Sequence, residues 1–510
     1  MQNTYYITTP IYYVNDVPHI GHAYTSVAAD VVARFMRLSD KDVMFLTGTD
    51  EHGQKVEKSA VRQNIDPQTF TDSMSEVFRK LMREMNISNN DFIRTTDGRH
   101  KEAVSSLWQR LLDSGNIYLG SYSGWYSMRD EAFYNESELT EDKLAPTGAP
   151  VEWIEEPSYF FALSKWQEKL LEFYDANPEF IKPNTRRNEV ISFVQSGLHD
   201  LSISRSSFKW GIKVPNDQKH VIYVWLDALT NYISALGYPS KEGEYKKYWP
   251  ADVHIVGKDI LRFHAVYWPA FLMAAGLELP KCIMAHGWWT NEGQKISKSV
   301  GNVIDPFQLV DEFGLDQVRY YLMREVIFGA DGNYSRNGLI NRVNSELANK
   351  IGNLLQRTLA FIYKNADQKI PQIDEESIDR LYQLPLMKLA EQFTIENSEL
   401  INVFSINSVL NNIITLTEEA NVYIDREAPW QLKTTDPTRM SEILYTLAEA
   451  LRYIAIMLQP FTPHSADLML KQLGVPENRR MFKHLGRQFA LTPGSKINQP
   501  VVVFPKIQES

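Results

Sequence analysis

Tyr5–Thr47, YYITTPIYYVNDVPHIGHAYTSVAADVVARFMRLSDKDVMFLT, decides the reading of the fold. Tyr5 to Val14 is dense in β-branched and aromatic residues, as a buried strand is. From His22 to Leu38 the apolar positions Val27, Val31, Phe35 and Leu38 recur at helical spacing. Val43-Met44-Phe45-Leu46-Thr47 is a second buried-strand run. A strand, a crossover helix and a strand in this order predict a parallel sheet.

The pattern changes beyond this unit. From Asn116 to Glu156, short aromatic stretches (Ile117–Leu119, Gly124–Tyr126, Ala132–Tyr134) alternate with acidic turns and predict a small strand-rich insertion. Strand candidates then return at Val221–Val224, Val253–Val256 and Cys282–Ala285, with helix-length segments at Trp225–Leu236 and Ile260–Ala275. After Gly332 the sequence shows no strand signal before Ile497. Helical periodicity runs through Asn337–Tyr363, Ser377–Glu399, Ser405–Ile424 and Pro437–Leu458. The expected fold is α/β: a split Rossmann-like parallel-sheet domain with a small strand-rich insertion, followed by an all-α helical bundle. The expected boundaries are 1–115 and 221–332 for the two halves of the sheet domain, 116–220 for the insertion with its helices, and 333–510 for the bundle.

A chain of 510 residues accommodates three or four such units at roughly 100–200 residues each. Hydrophobic residues at 44% and charged residues at 23% exclude a disordered chain. No apolar run reaches the roughly 18–20 residues that span a bilayer, and the start has no basic, cleavable leader, so a cytosolic protein without a membrane partner is expected. The single cysteine, Cys282, excludes an intrachain disulfide and any multi-cysteine zinc site. The net charge of −10 does not advertise a nucleic acid. It does not exclude one either, because structured RNA is bound through local patches and base contacts.

Two short motifs carry chemistry. His19-Ile20-Gly21-His22 lies between a predicted strand and helix, where a helix N-terminus offers free N–H groups to an anion. Gly21 would let a base or ribose come close, and two histidines three apart in a turn can donate to one phosphate. Lys295-Ile296-Ser297-Lys298-Ser299 lies in a polar loop, where two lysines flanking a serine make a mobile cation clamp for a polyphosphate. Taken singly, each motif is more often a structural pair of histidines or a solvated charged loop.

Together, an early His-x-Gly-His and a late Lys-x-Ser-Lys-Ser on a split parallel sheet resemble the class I aminoacyl-tRNA synthetases. Within that class the sequence is similar to the methionyl-tRNA synthetase family. The resemblance runs through Pro10–Asn15, Thr47–Gly53, Val224–Ala228, Gly257–Ile260, Phe263-His264, Lys295–Ser299, Asn353 to Arg357 and Ala428-Pro429-Trp430, in order along nearly the whole chain. It implies L-methionine, ATP with Mg²⁺, and tRNA(Met) as the molecules bound, with methionyl transfer to the terminal ribose of the tRNA for initiation and elongation.

By the same resemblance, Ile11, Tyr13, Trp225, Ala228, Tyr232, Ile260 and His264 enclose the methionine side chain, and Asp50 holds its ammonium. Aromatic walls suit a polarizable thioether, and a tyrosine hydroxyl or histidine N–H can donate to its sulfur. His19, Gly21, His22, Lys295, Ser297 and Lys298 bind ATP, the histidines at the α-phosphate and the lysines at the leaving pyrophosphate. Asn353, Arg357 and Trp430 read the anticodon from the helical domain, the first two at i and i+4 on one helix face.

Two departures from the family pattern matter. Where many relatives carry two Cys-x-x-Cys pairs, this chain has Tyr126-Ser127-Met128-Arg129-Asp130 and the stretch Leu144–Thr147, so no zinc is expected in the insertion. No C-terminal dimerising module follows Val501–Phe504, so a monomer is expected. Three rival readings are a class I synthetase for another amino acid, a nucleotidyltransferase of cofactor synthesis, and a catalytically dead tRNA-binding protein.

Overall fold

The computed structural model of the chain describes residues 3–15, 17–130, 132–134, 136–296 and 301–508. Strand β1 (Thr4–Tyr13), helix α1 (Ile20–Leu38) and strand β2 (Asp42–Asp50) form the expected unit, with β1 and β2 parallel. Strand β3 (Asp91–Arg94) extends the sheet beyond β2. On the other side of β1 lie Val253–Gly257, Ile283–His286 and the two-residue strand Ile181–Lys182. Every pairing in this six-stranded sheet is parallel. The chain leaves β1 toward β2 and returns on its other edge only at Val253, so a crevice opens between the carboxyl ends of these central strands, where α/β sheets bind ligands.

Alternation along β1 divides the core. Ile7 faces the layer that holds α1, and this layer runs without a break into the helical bundle. Tyr6 faces the opposite layer, built by the helices Gly98–Asp113 and Trp268–Ala274 and by the insertion. The two domains are also joined through a buried arginine, Arg319, which is ion-paired within the sheet domain and hydrogen-bonded to the bundle. Arg319 of the helix Leu315–Arg324 donates to Asp30 of α1 at 2.6 Å, with both side chains fully buried. Its remaining N–H groups reach the carbonyls of Met85, Pro460 and Phe461. Asp30 also accepts from Arg34 and Ser88, so the buried charges are fully hydrogen-bonded.

The structure corrects several expectations. The strand expected at Val221–Val224 is Asp217–Ile222. It pairs antiparallel with Ser204–Arg205 and Lys213–Val214, outside the central sheet. Its end is cut short because Val224–Leu229 is already helical. The segments Ile117–Leu119 and Gly124–Tyr126 are one strand, Ile117–Ser127, paired along its length with Glu152–Phe161. Within this strand a Cβ at Gly120 would stand 3.2 Å from the Phe160 ring, so the glycine gives a cross-strand aromatic its room. Gly332–Tyr334 is a strand, parallel to Trp289–Asn291, and three residues are too few for a periodic signal.

In the bundle, Ser377–Glu399 divides into Glu375–Leu381 and Pro385–Asn402, with the proline at the start of the second helix. Pro463–Gln472 is a further helix that the sequence reading passed over.

Candidate active site

A cleft of about 1020 Å³ opens at the carboxyl ends of the central strands. Ile11 and Tyr13 enter it from the end of β1, Asp50 from the end of β2, and Gly257 and His286 from the ends of the next two strands. His19, Gly21, His22, Trp225, Ala228, Tyr232, Ile260, His264 and Lys295 complete the set drawn from the sequence. Ser297 and Lys298 lie outside the described residues.

His19 is the N-cap of α1. Its Nδ1 accepts the Gly21 N–H at 3.1 Å, and the His22 Nδ1 accepts the His19 N–H at 3.1 Å. Because a backbone N–H can only donate, each imidazole carries its own proton on Nε2. The ring centroids are 3.9 Å apart. Burial holds both imidazoles below the usual histidine pKa, His22 far below, with the neighbouring His19 adding to the shift at His22. The pair therefore offers two neutral N–H donors. The structure also revises the role of Gly21. A Cβ at this position would stand 2.9 Å from the His19 ring, so the glycine first makes room for the ring that caps its own N–H. The Ile20 N–H donates to the Ile304 carbonyl at 3.0 Å, which ties this turn to the chain just beyond the lysine loop. Lys295 ends the short strand Gln294–Lys295, with its ammonium 5.9 Å from the Trp288 ring.

The apolar end of the cleft is built on two short helical pieces. Trp225 and Ala228 belong to Val224–Leu229, and Tyr232 to Asn231–Ser234. Trp225 stacks on Phe263 at 3.5 Å between centroids. His264 lies in the π-helical turn Phe263–Tyr267, a local widening that often marks a site. One expectation needs correction here. The His264 Nδ1 donates to the Ile260 carbonyl (2.9 Å), so its Nε2 accepts the Tyr232 hydroxyl proton (2.6 Å). In this arrangement both polar hydrogens are already engaged and neither is offered to a sulfur. Burial depresses the His264 pKa to about 4, so the ring stays neutral as an acceptor.

The sequence reading missed several contributors. Asp259 accepts from the Trp288 indole at 3.0 Å, and Lys258 is held by Asp331 at 2.7 Å while lying over the Trp288 ring. The motif Gly257–Ile260 pointed at this turn, yet only Ile260 was singled out from it. From the insertion, Arg129, Asp130 and Thr147 reach the cleft edge. Asp130 accepts from Thr147, Tyr134 and its own loop residue Arg129, and Arg129 donates to the Thr147 carbonyl at 2.6 Å. The two segments that carry cysteine pairs in many relatives are thus joined here by hydrogen bonds centred on a carboxylate. Among the described residues, no group of three or more His, Cys, Asp or Glu side chains is placed to hold a metal ion.

The three residues expected at the anticodon lie apart from the cleft. Asn353 and Arg357 sit on the helix Asn353–Asn365, directly after the π-helical segment Val343–Gly352. Trp430 is in the single turn Pro429–Gln431 and is 45% exposed. The Arg357 guanidinium stands 5.6 Å from its ring centroid and donates to Asp425 at 2.6 Å.

The model of class I (M) tRNA synthetases matches residues 5–143 and 136–359, and that of the anticodon binding domain of methionyl tRNA ligase matches 395–510. The methionine–tRNA ligase of Rickettsia felis is 71% identical over 508 residues, covering 100% of this chain and 99% of the relative. That of Rhizobium meliloti is 52% identical, with 98% of each covered. A structure of Mycobacterium tuberculosis methionyl-tRNA synthetase in complex with methionyl-adenylate matches with a TM-score of 0.94 at 47% identity, covering 98% of this chain and 99% of the other. The chain belongs to the methionyl-tRNA synthetase family of class I aminoacyl-tRNA synthetases.

Proposed function

We propose that the chain activates L-methionine with ATP and transfers the methionyl group to the terminal ribose of tRNA(Met). The observation that carries this reading is the convergence, in one cleft, of the paired neutral histidines, Lys295 and the aromatic pocket around Trp225, Tyr232 and His264. The methionine carboxylate is ionised at neutral pH, so it attacks the α-phosphate in line without a protein base. Pyrophosphate leaves. The protein's contribution is then positioning and charge stabilisation.

In this reading the His19 and His22 Nε2–H groups point to the α-phosphate, Gly21 and Ser297 complete the nucleotide site, and Lys295 and Lys298 neutralise the departing pyrophosphate. Asp50 takes the ammonium. Ile11, Tyr13, Trp225, Ala228, Tyr232, Ile260 and His264 enclose the side chain. Sulfur contact requires Tyr232 or His264 to release its present partner, or rests on packing and polarizability alone. Mg²⁺ enters with ATP through phosphate oxygens, a mode that asks for no dedicated protein cage. The donor sets at residues 126–130 and 144–147 do not suit zinc, and a zinc-free insertion is part of the proposal.

Asn353, Arg357 and Trp430 are proposed to read the anticodon through stacking and base-edge hydrogen bonds. Residues 1–115 and 221–332 are taken as the halves of the catalytic domain, 116–220 as the insertion and 333–510 as the anticodon-binding domain. No helix among the described residues is long and apolar enough to cross a membrane. A monomer working in the cytoplasm completes the proposal. The direct test is charging of tRNA(Met) transcripts with labelled methionine. Wild-type protein should charge them, and a tRNA with a substituted anticodon should be charged far more slowly. Equal charging of both would remove the anticodon assignment.

A further inference from the structure

Asp227 follows Trp225 by two residues on the helix Val224–Leu229, but it faces away from the cleft and is fully buried. Each of its carboxylate oxygens is taken by a different imidazole. The His52 Nδ1 stands 2.6 Å from Oδ2, and the His100 Nε2 stands 2.8 Å from Oδ1. The His100 Nδ1 is in turn 2.8 Å from the Ser234 hydroxyl. The three side chains are 4% exposed or less, and none of them lines the cleft.

What these bonds connect is specific. His52 follows Asp50 by two residues, just past the end of β2. Asp227 sits between Trp225 and Ala228, and Ser234 shares a helical piece with Tyr232. His100, on the helix Gly98–Asp113, bonds to both Asp227 and Ser234, and Asp227 links them to His52. The opposite side of the β2 end is fixed as well. Glu51 accepts from Arg94 at 2.7 Å and 3.0 Å and from Thr49 at 2.7 Å, and the Trp210 indole donates to its carbonyl at 2.6 Å. The helical pieces of the pocket wall are too short to hold position by their own hydrogen bonds. Apolar contacts tolerate sliding, whereas short bonds to a buried carboxylate fix both distance and angle.

We propose that His52, Asp227 and His100 form a clamp that sets the spacing between the ammonium end and the side-chain wall of the amino-acid pocket, making them positioning residues for methionine recognition. The proposal rests on the assignment of Asp50, Trp225, Ala228 and Tyr232 to the methionine site made above. It assigns the clamp no contact with ATP.

The test uses amide side chains that differ by one methylene. An asparagine at position 52 puts an N–H close to where the His52 Nδ1 stands, while a glutamine puts it near Nε2, away from Asp227. ATP–pyrophosphate exchange is measured for His52→Asn, His52→Gln, Asp50→Asn and the wild type, varying methionine and ATP separately, with folding monitored by circular dichroism. The expected result is a methionine KM raised about tenfold in His52→Gln, restored to within about twofold of wild type in His52→Asn, and an ATP KM unchanged in both. A His52→Gln enzyme with wild-type methionine KM, or one in which both KM values rise together, overturns the clamp. Asp50→Asn separates the two levels. If it leaves the methionine KM unchanged, the pocket assignment itself fails. If it raises that KM while the His52 variants do not, only the clamp fails.

Discussion

The cleft at the strand ends and the surface proposed to meet the anticodon are built on opposite plans. The cleft gathers residues from many separated stretches of chain around the ends of parallel strands, and it buries them deeply enough to hold His19, His22 and His264 neutral. The proposed anticodon surface uses two neighbouring segments of a helical bundle, with Trp430 exposed and Arg357 half-buried beside it. A site that stabilises charge in a transition state gains from water exclusion and fixed dipoles. A surface that receives splayed RNA bases needs accessible rings and mobile polar groups. The comparison therefore predicts that damage to one region leaves the other's step intact.

The largest effect should come from the cleft. His22→Ala or Lys298→Ala should lower the rate of methionine activation roughly 10²–10³-fold, the usual loss on removing one transition-state donor. Methionine binding should be nearly unchanged, because these groups act mainly after the ground state. Equilibrium titration with methionine checks this, and a parallel rise in its dissociation constant would remove them from that role.

Next in size is the joint between the regions. Arg319→Leu strands the buried Asp30 carboxylate with one guanidinium fewer, and should cost about 3–5 kcal/mol of stability. Thermal melts should then show the sheet domain and the bundle separating into two transitions. A single unshifted transition would show that the shared apolar core alone holds them together.

Trp430→Ala should weaken tRNA charging by roughly 5–150-fold, the equivalent of about 1–3 kcal/mol for one lost base stack. Amino-acid activation without tRNA should stay within twofold. Equal loss of both steps would make Trp430 a structural residue.

The smallest effect concerns pH. Burial depresses the folded-state pKa of His19, His22, His254, His264 and His286, so at these sites the unfolded chain binds more protons below its own histidine pKa of about 6.5. Their contribution is complete above that value and is lost as pH falls toward about 4, the His264 value. Asp227, which burial pushes up but which the His52 and His100 partners together pull down to about 2, adds a second loss below about 3.8. Melting temperature should therefore be flat from pH 7 to 8 and decline in two stages on acidification. A rise in stability between pH 6.5 and 5 would contradict the neutral state of these rings.

How much of this was legible beforehand follows the same division. The first strand–helix–strand unit was readable because strands of ten and nine residues and a nineteen-residue helix leave a periodic trace. Ile181–Lys182 and Gly332–Tyr334 left none, since two or three residues carry no period. Every described cleft residue named from the sequence does line the cleft, because the family's motifs sit at strand ends that the topology brings together. What those residues bond to was not legible. The mutual engagement of Tyr232 and His264, the ring of His19 over Gly21, and the pairing of His52 and His100 on Asp227 all join positions whose proximity only the folded chain creates. Asp227 is the sharpest case: on sequence it is an acidic residue beside a pocket tryptophan, and its two partners lie 175 and 127 residues away.

The central claim, that this cleft activates methionine, is tested most directly by ATP–pyrophosphate exchange with purified protein, Mg²⁺, no tRNA and a zinc chelator present. The account predicts exchange that depends on methionine and is weak with leucine or isoleucine, and that is insensitive to the chelator. No exchange with any amino acid, or exchange driven equally by leucine, would contradict it.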